Sequence, residues 1–375
     1  MIRYELPAID DLLRLGEPHK NAVSIYLPTA PTPVGREEAL AAAKSAVDDA
    51  IRQIRAAGAS NEEQEAIRER WQSQADDPEL WGHLADSVAI FLAPDMSEEY
   101  VLPNQFEAQT QVGDYFDLGQ LLRSVTAPQD AFALTLSGNG WNVWVASATT
   151  RAHELDLSQD YPEDAEEATN RMTVHMRERV NRLVAAEGRK ALLERYAHTV
   201  GDALRAELGR LDPNATKPLF VFAAEPLLGM ILAEDLPWQT VPVPGAPDEL
   251  RPDQIDDAIR TRIGALTSAR LSRRADEIGN GLAAGLATND LAHIARACVQ
   301  GAVAALIYDF TTDVLGVLDD TTGEITYDER GYDLLSRIAV LVLRQGGEAM
   351  AVRPDEIHAQ SWDGRALAQL RFPLI

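Results

Sequence analysis

The last quarter of the sequence limits the possible folds more than any other part. A helical stretch begins near Asn289, an apolar strand covers residues 301–307, and a second helix ends near Arg344. Gly346-Gly347 then separates this helix from two further strands. Helices and strands that alternate over such short distances predict a small αβα domain. Because the stretch carries no evident catalytic chemistry, we expect this domain to dock onto a partner.

Length and composition indicate a globular protein of several domains. The chain has 375 residues, of which 46% are hydrophobic and 25% are charged, so it has room for two or three cores and is not of the disordered type. The N-terminal residues lack a basic segment followed by an apolar run, and no apolar stretch approaches the ~18 residues that span a bilayer. We therefore expect a cytoplasmic protein with no membrane contact. A single cysteine, Cys298, excludes an internal disulfide and a multi-cysteine zinc site.

The order of predicted elements indicates an α/β (α+β) protein of three domains, 1–128, 129–246 and 247–375. In the first domain, period-two and period-3.6 patterns predict these elements: strands over residues 22–28, 87–92 and 99–103, and helices over residues 40–54, 61–73 and 118–124.

The middle domain has the element order of a ribonuclease H-like fold. The turn Ser137–Gly140 between two apolar runs predicts a hairpin, and residues 150–157 supply a third strand. Helical sequence from about residue 168 to 210, a strand over 219–223 and a helix near 225–233 follow. The proline-rich segment 241–247 marks the next boundary. A long helical region over residues 252–287 then leads into the C-terminal αβα sandwich.

Net charge argues against broad, non-specific nucleic-acid binding, because a surface with a charge of −25 repels phosphate. Two local runs depart from this background. They supply the candidate RNA-binding residues: Arg177, Arg179, Arg182, Arg189 and Lys190 in the first run, and Arg270, Arg273 and Arg274 in the second. The second run, residues 260–274, contains no acidic residue. An equally open alternative is two solvated helix faces whose charges pair with carboxylates elsewhere.

The sequence predicts no catalytic residue, no metal and no cofactor. It lacks the HExxH, GxSxG and GxxxxGK[ST] motifs, and its seven histidines form no spaced pair. We interpret Asp319-Asp320 as turn chemistry, Asp309 as a strand-ending carboxylate and Cys298 as a buried small hydrophobe. Gly346-Gly347 is typical of a helix cap in the left-handed conformation.

Four segments together, residues 23–29, 116–123, 297–307 and 343–348, carry a family resemblance. Through them the chain resembles, over nearly its whole length, the bacterial relatives of the archaeo-eukaryotic peptide-chain release factors. The resemblance implies an N-terminal domain that faces the decoding site and a ribonuclease H-like domain that reaches toward the peptidyl-transferase centre. It also implies a C-terminal domain that contacts a partner, often a translational GTPase.

The chain departs from the active release factors at their catalytic loop. Those proteins carry Gly-Gly-Gln in the middle domain, whereas this sequence has no Gly-Gly-Gln and offers Gly188-Arg189-Lys190 in the corresponding region. The sequence therefore favours a non-catalytic factor that binds rRNA or tRNA on the ribosome in rescue, hibernation or a stress response. Two alternatives stay open: a hydrolase acting on peptidyl-tRNA or another ester, and an acidic protein-interaction scaffold.

Overall fold

The structure is a computed structural model. It describes residues 2–3, 6–30, 32–102, 106–127, 129–147, 151–170 and 185–373, with the backbone alone at residues 2–3, 169–170 and 185–189. The contacts between Cα atoms divide the chain into two compact units. The outer unit consists of residues 1–128 and 264–375, and the middle unit consists of residues 129–263. The predicted division into three domains stays a prediction.

The N-terminal part of the outer unit is an α/β layer. Its elements are β1 (Ile2–Arg3), α1 (Ile9–Leu15), β2 (Ala22–Pro28), α2 (Pro33–Ala56), α3 (Asn61–Ala75), α4 (Pro78–Gly82), β3 (Ser87–Leu92), β4 (Ser97–Leu102), β5 (Gln109–Gly113) and α5 (Gly119–Thr126). The strands form one sheet in the order β1-β4-β3-β2-β5. Strands β2 to β5 pair with one another in antiparallel fashion, and β1 runs parallel to β4.

Strand β2 has two buried faces, as its nearly continuous apolar sequence predicts. Ile25 packs in one core cluster with Val47 and Ile54 of α2. On the other face, the ring of Tyr26 meets those of Phe91 and Phe106 edge to face, with centroids 5.9 and 5.5 Å apart. The predicted strands and helices of this part are therefore confirmed.

The middle unit is built on a second sheet. Its elements are β6 (Ala131–Leu136), β7 (Trp141–Ala146), β8 (His153–Glu154), α6 (Ala165–Asn170), α7 (Ala185–Leu211), β9 (Leu219–Ala223), α8 (Leu227–Leu232) and β10 (Thr240–Pro244). The sheet order is β10-β9-β6-β7-β8, with β6, β9 and β10 parallel and with β7 antiparallel to β6 and to β8. Among the described residues the predicted elements occur in the predicted order, and the sheet gains a fifth strand; residues 171–184 of the predicted helical stretch lie outside the described residues.

That fifth strand, β10, lies in the proline-rich segment that marks the predicted boundary. Residues Thr240–Pro244 pair in register with Leu219–Ala223 of β9. Proline has no N–H group to donate to a neighbouring strand, so it disrupts the hydrogen bonds of a central strand. It is tolerated in an edge strand, where that side can face solvent. Since β10 lies at the edge, Pro242 and Pro244 fit there, and the prolines that resemble a linker in sequence belong to the sheet.

The long helix α9 (Pro252–Gly279) leaves the middle unit and enters the C-terminal part of the outer unit. The elements that follow are β11 (Ala287–Thr288), α10 (Leu291–Val299), β12 (Val303–Asp309), β13 (Leu315–Leu318), β14 (Ile325–Tyr327), β15 (Tyr332–Asp333), α11 (Leu334–Arg344), β16 (Glu348–Val352) and β17 (Ala366–Leu370). Strands β11, β17, β12 and β16 form one sheet in that order.

This C-terminal sheet has helices on both faces, which confirms the predicted αβα layering. Ile307 of β12 packs in one core cluster with Leu271 of α9. The neighbouring Leu306 points to the opposite face and packs in another cluster with Ile294 of α10 and Ile338 of α11. Successive side chains of a strand point to opposite faces, so this alternation produces the three layers.

A small antiparallel sheet, β14-β13-β15, lies between β12 and α11 in the chain, and the sequence reasoning missed it. Strands β13, β14 and β15 span only four, three and two residues, respectively. Runs that short show no clear alternation. The turn that links β13 to β14 is as predicted, because the Asp319 Oδ1 atom accepts the N–H groups of Thr321 and Thr322 at 2.8 Å each.

Candidate nucleic-acid interface

The first predicted basic run falls mostly outside the described residues. Arg177, Arg179 and Arg182 lie in the segment 171–184, which the structure does not describe. Arg189 belongs to α7, but its side chain is not described either. Lys190 is exposed, and its Nζ atom lies 3.6 Å from Glu194 one helical turn later. The role of this run in RNA binding stays a prediction.

The second run lies on α9, and its three arginines differ in their surroundings. Arg270 and Arg273 are exposed, and among the described residues neither side chain forms an ion pair. Arg274 is half-buried. It lies 3.3 Å from Glu277 and 3.5 Å from Glu348, and it donates to Gln369 at 3.0 Å. Two of the three guanidinium groups are therefore free to contact phosphate.

Two arginines nearer the start of α9 instead form their contacts within the middle unit. Arg260 donates to the backbone carbonyls of Gln129 and Ser147 at 3.1 Å each, and it lies 3.4 Å from Asp256. The guanidinium of Arg262 lies 6.0 Å from the centroid of the Phe222 ring. A basic run that looks uniform in sequence is therefore divided into a structural part and an exposed part.

Two buried carboxyl groups of the outer unit had no signal in the sequence. Asp117 precedes α5, and Asp333 caps α11 by accepting the Ser336 N–H at 2.7 Å. The Ser336 hydroxyl accepts the Leu118 N–H at 2.8 Å and also hydrogen-bonds to Asp117, so one serine links both acids. Burial raises the pKa of Asp117 to about 6, and burial followed by repulsion from Asp117 raises the pKa of Asp333 to about 8.

A cavity of about 200 Å³ opens near these acids. Its lining includes Gln109, Gln120, Phe310 and Asp313. Burial raises the pKa of Asp313, whose Oδ1 atom accepts a hydrogen bond from the Gln109 amide at 3.0 Å. The excess of carboxyl groups makes this region unsuitable for contact with phosphate.

Gly346-Gly347 has the geometry of a helix cap. Gly346 adopts a φ of +70°, its N–H donates to the carbonyl of Leu343, and the Gly347 N–H donates to Val342 at 2.9 Å. These bonds satisfy carbonyls at the end of α11 that lack helical partners. The prediction of a cap is confirmed, and the pair needs no catalytic explanation.

Asp309 at the end of β12 also has a local role, since its Oδ1 atom accepts the N–H of Thr311 at 2.8 Å and the Thr311 hydroxyl at 2.6 Å. Within the described part of the chain, no group of three or more histidine, cysteine or carboxylate side chains is placed to hold a metal ion. No described helix is long and apolar enough to cross a membrane.

Cys298 is fully buried in α10, and its thiol lies 3.7 Å from the carbonyl of Ile338. Burial raises the pKa of the thiol to about 12, so the reactive thiolate is scarce. We expect the native protein to react with Ellman's reagent at least about a hundredfold more slowly than the protein in urea. Rapid labelling of native protein would contradict this burial.

Comparison with protein families gives a match in the middle of the chain. Residues 128–267 match the family described as bacterial archaeo-eukaryotic release factor family 11. The matched segment nearly coincides with the middle unit, residues 129–263. The predicted resemblance to the bacterial relatives of the release factors is confirmed for this segment. No curated protein matches the chain in sequence.

Several solved structures resemble the chain weakly. A ribosome-bound archaeal Pelota, solved with ABCE1, is 13% identical over 78% of this chain and 74% of that chain, with a TM-score of 0.38. Dom34 of S. cerevisiae, described as interacting with Hbs1, is 13% identical over 74% and 73%, with a TM-score of 0.35. Pelota of Archaeoglobus fulgidus is 11% identical over 98% and 93%, with a TM-score of 0.36. TM-scores this low carry no argument about function.

Proposed function

We propose, from the match of residues 128–267 to bacterial archaeo-eukaryotic release factor family 11, that the protein is a translation factor that binds the ribosome. That match is the observation that carries the proposal. The factor acts in rescue, hibernation or another stress response, and its middle unit is a ribonuclease H-like domain. It is a cytoplasmic protein.

The factor occupies the ribosome without hydrolysing peptidyl-tRNA. Small residues in a Gly-Gly-Gln loop let the backbone approach the ester and position water, and this sequence contains no such loop. The only Gly-Gly pair of the sequence, Gly346-Gly347, ends a helix of the outer unit. Binding is therefore the primary activity.

RNA phosphate is the ligand of the exposed arginines. Arg270 and Arg273 supply two guanidinium groups that no described carboxylate neutralises. Arg177, Arg179, Arg182, Arg189 and Lys190 add a second contact from the middle part of the chain, and Arg274 supports the first. The C-terminal αβα layers provide the docking surface for a translational GTPase.

Binding to ribosomes is tested by sedimentation with purified ribosomes at increasing salt. We expect co-sedimentation at low salt and a progressive loss as salt rises, because each phosphate contact releases counterions. The double variant Arg270→Gln/Arg273→Gln loses two such contacts. The slope of log affinity against log salt is negative, and its magnitude should therefore be smaller by about 1.5 to 2 in this variant.

The matched control removes two exposed arginines from other parts of the outer unit, Arg36→Gln/Arg330→Gln. It changes net charge by the same amount and should leave the slope nearly unchanged. Equal slopes for both double variants would show that only net charge matters and would remove Arg270 and Arg273 from the interface. No co-sedimentation at any salt concentration would reject ribosome binding altogether.

A further inference from the structure

A cavity of about 230 Å³ lies within the middle unit. One wall is the hairpin of β6 and β7, and the other is the segment that follows β10, including Asp248, Leu250 and Ile255. All of its lining residues belong to residues 129–263. The cavity is smaller than the ~300–1,000 Å³ typical of drug-sized ligand sites, which limits the occupant to a small group.

The hairpin wall presents polar groups around the largely buried indole of Trp144. Thr135 of β6 is paired with Asn142 of β7, and Trp144 lies two residues further along the same face of β7. The Trp144 Nε1 atom donates to the Thr135 hydroxyl at 3.1 Å, which fixes the orientation of the indole. In the opposite wall, Leu250 is half-buried and Ile255 is buried.

The polar edge of the cavity consists of two asparagines and one carboxylate. The Asn139 Nδ2 atom in the hairpin turn donates to the Asp248 Oδ2 atom at 3.1 Å. This bond joins two segments that are distant in sequence and holds the carboxylate at the cavity. Among the described residues, the Asp248 Oδ1 atom and the Asn142 side-chain amide have no hydrogen-bond partner, so both remain available to a ligand.

The position of the cavity in the sheet is also one where ligands bind. The turn containing Asn139 follows the carboxyl end of β6, and Asp248 follows the carboxyl end of β10, which runs parallel to β6. In open α/β sheets, ligands bind outside the carboxyl ends of the strands, because the loops there converge.

We propose that this cavity binds a single nucleobase, with guanine preferred. A planar heterocycle that lies between the hairpin and the segment after β10 presents its hydrogen-bonding edge to the polar residues of the cavity. The Asp248 carboxylate accepts from the two neighbouring N–H donors of guanine, and the Asn142 amide donates to a ring acceptor. Carboxylates accept hydrogen bonds and asparagine both donates and accepts, so this set matches guanine better than uracil.

The phosphates of a nucleotide stay outside the cavity. Asp248 in the cavity lining, together with the net charge of −25, repels an anionic group. The base can therefore come from a free nucleoside or from an exposed base in single-stranded RNA. Recognition of the base is a different property from phosphate binding by Arg270 and Arg273, so the two can fail independently.

Isothermal titration calorimetry of the full chain tests the site with guanosine, inosine and uridine. We expect saturable binding of guanosine and weaker binding of inosine, which lacks the exocyclic amine. Uridine should bind most weakly. Asp248→Asn should weaken guanosine binding about tenfold and abolish the preference over inosine, because the carboxylate accepts from both donors. A short oligouridylate with one central guanosine distinguishes the sources: tighter binding than guanosine indicates RNA, and equal binding indicates the nucleoside.

Asp160→Asn is the matched control, since Asp160 is exposed in the same unit and does not line the cavity. It should bind guanosine as the unchanged protein does. Circular dichroism verifies that Asp248→Asn is folded, and Asn142→Ala provides a second variant that should also lose affinity. The proposal is overturned if neither guanosine nor the oligonucleotide gives saturable heat, or if Asp248→Asn and Asn142→Ala bind as tightly as the control.

Discussion

Replacing Asp117 by asparagine is expected to reduce the stability loss that the unchanged protein shows between about pH 5 and pH 8. Burial raises the pKa of Asp117 from 3.8 to about 6, and that of Asp333 from 3.8 to about 8. Over this range the folded protein holds protons that the unfolded chain has already released. The free energy of unfolding therefore falls as pH rises.

The sign is opposite for acids whose pKa is lowered in the folded protein, such as Asp253 and Asp319. Their contribution is lost only below about pH 4, so they do not affect the chosen range. Above pH 5, the raised pKa values of Asp117 and Asp333 together span about four pH units, which at about 1.4 kcal/mol per unit gives an upper limit of about 6 kcal/mol. Because buried sites relax, we expect about half of this loss.

Urea unfolding followed by circular dichroism at several pH values measures this loss. Asp117→Asn cannot ionise, and it also removes the repulsion that raises the pKa of Asp333. Burial, the larger cause of the raised pKa of Asp333, remains, so the stability of this variant should still fall across the range but less steeply than that of the unchanged protein. Asp276→Asn, at an exposed position of α9, should retain the full slope of the unchanged protein. An unchanged slope in Asp117→Asn would show that the buried pair does not control pH dependence.

Gly323→Ala is expected to lower the free energy of unfolding by about 3 kcal/mol, the larger of two glycine effects in the outer unit. Gly323 adopts a φ of +73° in the turn between β13 and β14. A Cβ atom there would lie 2.6 Å from the Arg296 Cα atom and 2.9 Å from the Arg296 backbone nitrogen. Backbone atoms of α10 cannot move aside as a flexible side chain can, so conformational strain and steric overlap add.

Gly346→Ala separates the two causes. Gly346 has a similar φ of +70°, but among the described residues no atom lies within 4 Å of the position that an added Cβ atom would take. This variant should lose only about 1 kcal/mol, the cost of the left-handed conformation. Thermal unfolding measures both, and Gly323→Ala should have the lower Tm by several degrees. Equal losses would mean that the turn can move away from α10 without cost.

Much of the local structure could be predicted from the sequence because side-chain periodicity reports which face of an element is buried. The apolar run 22–28 predicted β2, and the 3.6-residue spacing of residues such as Val47 and Ile54 predicted α2. Thr32 marks the start of α2 by accepting the Gly35 N–H at 3.0 Å, as a capping residue does. Gly346 likewise marks the end of α11.

Several strands that the sequence did not predict lie where long-range pairing outweighs local composition. Pro242 and Pro244 favour a linker by composition, yet a free edge beside β9 accommodates them as a strand. The strands β13 to β15 are too short to show periodicity and exist because they pair with one another. Neither result could be obtained from one segment alone.

The candidate sites, too, could be predicted only in part from the sequence, and the rest depended on tertiary contacts. The sequence located the basic run on α9, but it could not separate Arg260, which binds the carbonyls of Gln129 and Ser147, from the exposed Arg270. It also contained no sign of the cavity between the β6–β7 hairpin and Asp248. The surroundings of these residues come from segments distant in the chain.

The sequence alone determined most of the helices and strands, the αβα layering and the absence of Gly-Gly-Gln, because each depends on residue type and spacing within a short segment. The tertiary structure decided which arginines of α9 stay free, and it brought Asp117 beside Asp333 and Asn139 beside Asp248. These choices depend on strand register and on contacts across the chain. In the last quarter of the chain, the order of the layers follows from the sequence. The burial of Asp333 beside Asp117 follows from packing against residues 1–128.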